Sequence, residues 1–514
     1  MITLLLSLVC LTALSLTWCG FFIFAGIDWL ILGNNSFGVE SGMSGIDCSY
    51  VGMLFFCGFV SLLFSLHYFG WVNNWLNFMI VIFLGVMCLL ILSEDLLTSL
   101  LWWEYLGVVS FFLIIYYGNF DTSYAGNTTI VVSRLGDAGF FLVICFWYSG
   151  VMSAWLGCLS TLLVIATKSA ILPFCSWLLE AMRAPTPVSC LVHSSTLVAA
   201  GVWFVTSYGA ILVDGVLTNL LLTGCLTTVL VSGFCAAVFS DIKKIVALST
   251  CNNVSWCIIY CLLGSPLLCA IQLVCHGLSK CLLFIAVGDS LASATGSQNK
   301  SCFSIVPYNS VSGFVAILVL SLSVAGMPFL GVFFTKHTFI NLLMFTGSAL
   351  CSLLIILGVF LSYCYSVRLV YLVAFPNGVN SQWLNSTFYF VSATSIVCSG
   401  LGYLLCGGLE EVSELGSLYS FFILSVNVLG FILGYHLYSS FCGSGYFSSF
   451  GYNDDSVVGY LESFSMGNNF GGLIFNFRLE VGLVQILLGI GKISTIRLTV
   501  IPLFLAGVIF WGLV

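Results

Sequence analysis

The sequence predicts an all-α polytopic membrane protein, and three observations carry the prediction. Of the 514 residues, 60% are hydrophobic. Only 6% are charged, against about 25% in soluble chains. Apolar runs recur from end to end, each close to the roughly 20 residues that a helix needs to cross a bilayer. A transmembrane β-barrel would instead alternate apolar and polar residues in segments of about ten.

Fourteen or fifteen spans are expected, near 2–24, 48–67, 75–93, 96–117, 127–149, 157–181, 187–208, 216–239, 245–263, 267–290, 311–331, 338–375, 384–407, 417–438 and 496–513. The run at 338–375 has the length of one or two crossings. The first run is apolar from its second residue. It lacks the charged start of a signal peptide and the arginines of a transit peptide, so it reads as a span. Connections are short and rich in Gly, Ser and Asn. Two polar stretches stand out, Ser293–Asn309 and Phe441–Arg497. Within the second, an apolar middle is interrupted by Arg478 and Glu480. It is either a further span or a helix lying along the membrane surface.

Composition narrows the function. The net charge of −7 comes from 12 basic and 19 acidic residues, with no basic cluster interleaved with aromatics. Nucleic-acid binding has no support. The 23 cysteines are scattered through apolar spans without CxxC or Cys/His zinc spacing, and read as small hydrophobes. There is no Walker sequence and no cysteine framework for iron–sulfur clusters. Glycosylation sequons at Asn34, Asn127, Asn253 and Asn385 matter only in a secretory compartment, and nothing else points there.

The charges inside the spans are the informative residues. Lys168 is the single charge between Trp155 and Leu179. A lysine at the centre of a membrane helix costs about 2.5–3.5 kcal/mol to insert. Glu104 lies in LLWWEYLGVVSFFLI, and Asp137 follows Arg134 by three residues. Glu180 and Arg183 close the Lys168 run, and His193 lies in PTPVSCLVHSSTLVAAG. Asp241, Lys243 and Lys244 lie together in SDIKKIVALST. His276 and Lys280, four apart, share one helix face, and Lys336 is followed by His337.

Each has a plain reading. Glu104 and Lys168 would tie two helices together, Arg134 and Asp137 would be a local pair, and the Asp241–Lys244 cluster would be a polar loop at the membrane edge. His193 would be a hydrogen-bonded core histidine. An ion pair accounts for two charges, but not for Lys168, Lys280 and Lys336 on three separate spans. Buried lysine, histidine and carboxylate are the groups that exchange protons in a low-dielectric medium. Such residues within a membrane usually face the bundle interior and mark an ion pathway. A Glu104–Lys168 pair would hold the lysine protonated, and separating it would release the proton.

The two outer lysines also share a context. Lys168 precedes Pro173 in one apolar segment, and Lys336 follows Gly326 and Pro328 in another. Matching Gly/Pro-interrupted segments in two halves of a membrane chain point to a transport site between repeats. Moving a proton against 100 mV costs about 2.3 kcal/mol. No energy source is legible in the chain, which reads as one part of a larger machine.

The run ATKSAILPFCSWLLEAMRAPTPVSCLVHSSTLVAAG resembles the signature of the antiporter-like subunit 5 family of NADH dehydrogenase, respiratory complex I. WWEYLGVVSFFLI, RLGD, SDIKKIVALST, HGLSKCLLF and GMPFLGVFFTK follow that family's order, and the resemblance covers residues 75–375. It implies a proton-pumping subunit at the distal end of the membrane arm, within the mitochondrial inner membrane. The implied proton path runs through Glu104, Lys168, His193, His276, Lys280 and Lys336, with Asp137 accessory. No cofactor is implied in this chain; FMN, iron–sulfur clusters and ubiquinone belong elsewhere in such a complex. Implied partners are the subunit 4 and subunit 2 paralogues along a lateral helix, accessory subunits, and lipids such as cardiolipin.

The expected organisation is N-terminal spans (1–74), two inverted antiporter-like repeats with broken helices (75–240 and 241–375), and C-terminal spans (376–440). A lateral amphipathic helix region (441–495) and a terminal anchor (496–514) complete it. The chain departs from the family in three places. His337 stands where the family has an acid, SLASATGSQNKSC replaces a more charged loop, and the ends are expected to be shorter than the family's. That shortening and the hydrophobicity fit a mitochondrially encoded chain. Two other readings stay open: the large subunit of a multisubunit cation/proton antiporter, and a structural clamp that does not transport.

Overall fold

The computed structural model describes residues 44–69, 74–149, 154–209, 215–239, 241–293, 311–328, 330–346, 349–374 and 417–443. Among these residues every regular element is a helix. In hydrocarbon each backbone N–H and C=O must be satisfied within the chain, and helices do so segment by segment. The elements are α1 (Gly45–Phe69), α2 (Asn74–Ile91), α3 (Leu96–Ile114), α4 (Phe120–Ser149), α5 (Ala154–Lys168), α6 (Ser176–Ala181) and α7 (Thr186–Ser207). They continue as α8 (Gly215–Val238), α9 (Ile242–Leu262), α10 (Pro266–Ser293), α11 (Val311–Ala325), α12 (Phe333–Thr346), α13 (Ala349–Ala374) and α14 (Ser417–Gly443).

Nine of the described helices are long and apolar enough to cross a membrane, so the chain is a multi-pass membrane protein. The expected spans at 2–24, 384–407 and 496–513, the polar stretch Ser293–Asn309 beyond its first residue, and the lateral helix region from residue 444 onward lie outside the described residues.

Three expected boundaries change. The span at 127–149 begins about two turns earlier, at Phe120. The run at 157–181 is two helices, α5 and α6. The run at 338–375 holds the end of α12 and all of α13.

Local chemistry explains individual ends. Ser44 and Asp47 open α1 as a capping box: the Ser44 N–H donates to Asp47 Oδ2 at 3.1 Å, and the Asp47 N–H to Ser44 Oγ at 3.3 Å. The last carbonyls of α8 are served from another helix. Arg368 on α13 donates to the Ala236 carbonyl at 3.2 Å and the Val238 carbonyl at 3.0 Å.

Burial orders the helices. The spanning windows of α7 and α10 are fully buried, and that of α9 nearly so. Around them lie α3, α4, α8 and α13, each exposing one apolar side. On α14 only 11% of the window is buried. Phe421, Leu424 and Leu429 project outward from it, as suits a lipid-facing helix. The candidate residues therefore divide: His193 on α7 and His276 and Lys280 on α10 occupy the centre of the bundle.

Candidate functional site

The first break lies between α5 and α6. Ala170 adopts a left-handed φ of 53°, which costs a non-glycine residue about 1–2 kcal/mol. The Trp177 indole N–H on α6 donates to the Thr167 carbonyl at 2.9 Å, so one orphan carbonyl of α5 is capped across the break. Lys168 is the last residue of α5. The apolar run interrupted by Pro173 implies a lysine on a broken helix, and the fold sets it at the C-terminus of the first half, whose partial negative charge favours a cation.

Lys168 is buried, and its Nζ has no hydrogen-bond partner among the described residues. It stands over the Trp103 ring, 5.2 Å from the centroid. The expected Glu104–Lys168 pair does not form. Glu104 pairs with Arg134 at 3.5 Å, and Arg134 also reaches Asp137 at 3.4 Å. The reason is geometric. Glu104 on α3 and Asp137 on α4 both come within ion-pair distance of one guanidinium nitrogen, Arg134 Nη1.

His193 sits in a π-turn, Val192–Thr196, that interrupts α7. Such turns cluster at functional sites. The imidazole is fully buried against the Ala181 backbone, and neither ring nitrogen closes a hydrogen bond. A cavity of about 10 Å³ lies between it and the lysine, lined by Ser133, Thr167, Lys168 and His193 and by the apolar Ile114 and Leu197. That is room for about one water in a mostly apolar lining.

The second half is built differently. His276 and Lys280 are fully buried on α10. Lys280 Nζ donates to the Val246 carbonyl at 3.2 Å and to Ser249 Oγ, both on α9. Neither ring nitrogen of His276 closes a hydrogen bond among the described residues. One turn before His276, Gln272 accepts a hydrogen bond from Thr335 on α12. Its amide donates to Asn253 Oδ1 at 3.4 Å, and the Asn253 amide donates to the Ser249 carbonyl at 2.9 Å. Side chains thus link the neighbour of Lys336 to the partner of Lys280.

The second break runs from the end of α11 to the start of α12. Gly326 (φ 89°) and Gly331 (φ 42°) make the left-handed turns that L side chains resist. Lys336 follows in the first turn of α12. Its Nζ turns back to the Ala325 carbonyl at 2.7 Å and to Ser362 Oγ at 3.3 Å. Ala325 is the last residue of α11. Both outer lysines therefore stand at the C-terminal end of the first half of a broken helix, Lys168 on it and Lys336 bonded to it.

The remaining charges resolve locally. Lys244 pairs with Asp241 at 3.2 Å, but Asp241 precedes α9 and both lysines lie in its first turn. The expected polar loop is thus a helix start. Arg183 bridges Glu180 and Asp121, each at 3.0 Å. His337 packs beside the Phe333 ring, 5.4 Å between centroids. Two features escape the sequence reading: Arg368, and the contact of His67 on α1 with Asp289 on α10 at 3.4 Å. The signal that marks Lys168, one charge in an apolar run, marks Arg368 as well.

Residues 93–363 match the family model for the transmembrane part of NADH:quinone oxidoreductase and Mrp antiporters. NADH-ubiquinone oxidoreductase chain 5 of Artemia franciscana is 35% identical over 396 residues, 72% of this chain and 70% of that one. The chain belongs to the chain 5 branch of this antiporter family. Chain 5 of Ascaris suum is 37% identical over 262 residues, 48% of this chain and 47% of that relative. The chain thus spans about half the length of one relative and over two thirds of the other. Among solved structures, a chain of the archaeal membrane-bound sulfane sulfur reductase aligns with a TM-score of 0.70, at 16% identity over 97% of this chain and 94% of that one. A chain of respiratory complex I from Thermus thermophilus aligns with 0.65, at 16% identity over 84% and 95%. A chain of the Mrp complex from a Dietzia species aligns with 0.68, at 18% identity over 95% and 60%. These likenesses show the antiporter-like fold. The matched family region contains Glu104, Asp137, Lys168, His193, His276, Lys280 and Lys336.

Proposed function

We propose that this chain is a proton-translocating subunit of the membrane arm of respiratory complex I, seated in the mitochondrial inner membrane. One observation carries the reading: two broken helices each place a buried lysine at the break, and the fully buried helix α10 between them in sequence carries His276 and Lys280. Buried cations on several helices mark an ion path, and half-helix C-termini hold transported cations in antiporter-like folds.

The hydrogen bonds support a proton-carrying role for the second-half lysines. A protonated lysine has three donors. Lys280 and Lys336 each direct two at fixed acceptors in the protein. A neutral amine keeps two N–H donors and gains a lone pair, so the same bonds hold either form. The third position is where the mobile proton arrives and leaves. His193 shares a water-sized cavity with Lys168 and is placed to exchange a proton with it through a single water. Glu104 and Asp137, held by Arg134, set the field around Lys168.

On this reading the halves 75–240 and 241–375 are inverted repeats, and the chain holds no redox centre. FMN, iron–sulfur clusters and ubiquinone act elsewhere in the complex, where NADH oxidation supplies the energy. The partners are the subunit 4 and 2 paralogues, accessory subunits and cardiolipin-type lipids. The test is proton translocation driven by NADH oxidation in the intact complex. Lys168→Ala and Lys336→Ala each lower the protons moved per NADH. Full yield in both variants overturns the pump and favours a structural clamp. The likeness to a chain of the Mrp complex favours one second reading, a cation/proton antiporter subunit. Sodium-dependent proton exchange by the chain purified without any NADH-oxidising partner would select it.

A further inference from the structure

We propose that Trp103 is a positioning residue for the first-half proton carrier, its indole face serving as the seat of the Lys168 ammonium. This rests on the reading that Lys168 carries protons. A buried ammonium needs compensation for lost water, and Lys168 Nζ has no hydrogen bond among the described residues. Arg134 takes Glu104 Oε2 and Asp137 Oδ2, while Asp137 Oδ1 is buried without a hydrogen bond among the described residues. What faces the lysine is the Trp103 ring, 5.2 Å from Nζ, within the range in which indole, the strongest of the aromatic faces, attracts a cation.

The ring is built in rather than merely nearby. Trp103 on α3 is fully buried. Phe140 on α4 meets it edge-on at 5.5 Å and 84°, and Phe204 on α7 at 6.0 Å and 62°. The two phenylalanines meet each other at 5.2 Å and 78°, which closes a three-ring cluster from three helices. The indole N–H is turned toward Asp137 without closing a hydrogen bond.

The attraction depends on charge. The electron-rich face binds an ammonium and has little hold on a neutral amine. Protonated Lys168 is therefore seated on Trp103. Deprotonated Lys168 is released toward the cavity it shares with His193. The seat converts a change of protonation into a change of position, with no other side chain obliged to move.

The experiment is made on the intact complex, measuring protons moved per NADH. Trp103→Phe keeps a ring and retains at least about half the yield. Trp103→Leu lowers it at least about fivefold. Mono-, di- and trifluorinated tryptophan at position 103 preserve shape while draining charge from the ring, and the yield falls stepwise with fluorine count. Equal yields across the fluorinated series overturn the seat, because a packing role predicts that equality. A structure of the Trp103→Leu complex gives a readout independent of pumping: Nζ leaves its place over residue 103. If Nζ stays, the seat is overturned. Lys168→Met pumping at full yield would instead overturn the underlying pump reading, leaving the position of Nζ as a separate result.

Discussion

The two halves of the molecule solve one problem, holding a cation where there is no water, in opposite ways. In the first half Lys168 has an aromatic face, an engaged acidic pair nearby and no hydrogen bond among the described residues. In the second half Lys280 and Lys336 are bonded to backbone carbonyls and serine hydroxyls, and neither forms an ion pair among the described residues. Even the breaks differ. The first turns on Ala170 in a left-handed conformation, the second on Gly326 and Gly331. A cation held by directed bonds is fixed in place, whereas one held by an undirected aromatic field can leave when its charge changes. The comparison teaches that the first half is suited to switching and the second to storage.

Removing the lysines should have the largest effect. Lys168→Ala, which empties the first half, lowers the rate of NADH-driven proton uptake by about 10²-fold, the range for loss of a proton-transfer group. An equal loss in Lys336→Ala means both halves are needed. A loss confined to one would break the symmetry of the two breaks. Next comes Gln272→Leu, which leaves Thr335 and Asn253 without their shared partner. Orphaning a buried polar group costs about 1–3 kcal/mol, read as a lower midpoint of heat inactivation together with partial loss of pumping. If the second half is a fixed store, this variant suffers more than Ser133→Ala beside Lys168.

Gly326→Ala sharpens the contrast of the breaks. A Cβ there would lie 3.1 Å from Lys336 Cδ in a conformation with φ of +89°, at a cost of about 1–2 kcal/mol. The expected outcome is reduced pumping with NADH oxidation retained. The smallest effect belongs to Ala170→Gly. It relieves left-handed strain but adds backbone freedom to the unfolded chain, for a net gain of about 1 kcal/mol or less. Its measurement is the heat-inactivation midpoint, expected unchanged or slightly raised.

The sequence made some of this legible. Lone charges in apolar runs mark Lys168, Lys280 and Lys336, and the spacing of His276 and Lys280 puts them on one face of α10. The Pro and Gly signals locate both breaks. Partners across helices were not legible, because nothing local encodes them. Arg134 takes Glu104 across the α3–α4 interface in place of the expected Lys168. Trp103 reads as an ordinary apolar residue until the fold sets it under an ammonium. Gln272, Asn253 and Thr335 are uncharged, so a search for charges passes over them, although together they lace α9, α10 and α12.

The central proposal is that both breaks act in one proton path. The most direct measurement is the proton yield per NADH of the intact complex carrying Lys168→Ala, Lys336→Ala, or both. Groups acting as a unit are strongly non-additive. The account predicts that the double variant loses no more than the worse single variant while NADH oxidation continues. Two independent losses that add, or full yield in the double variant, would contradict it.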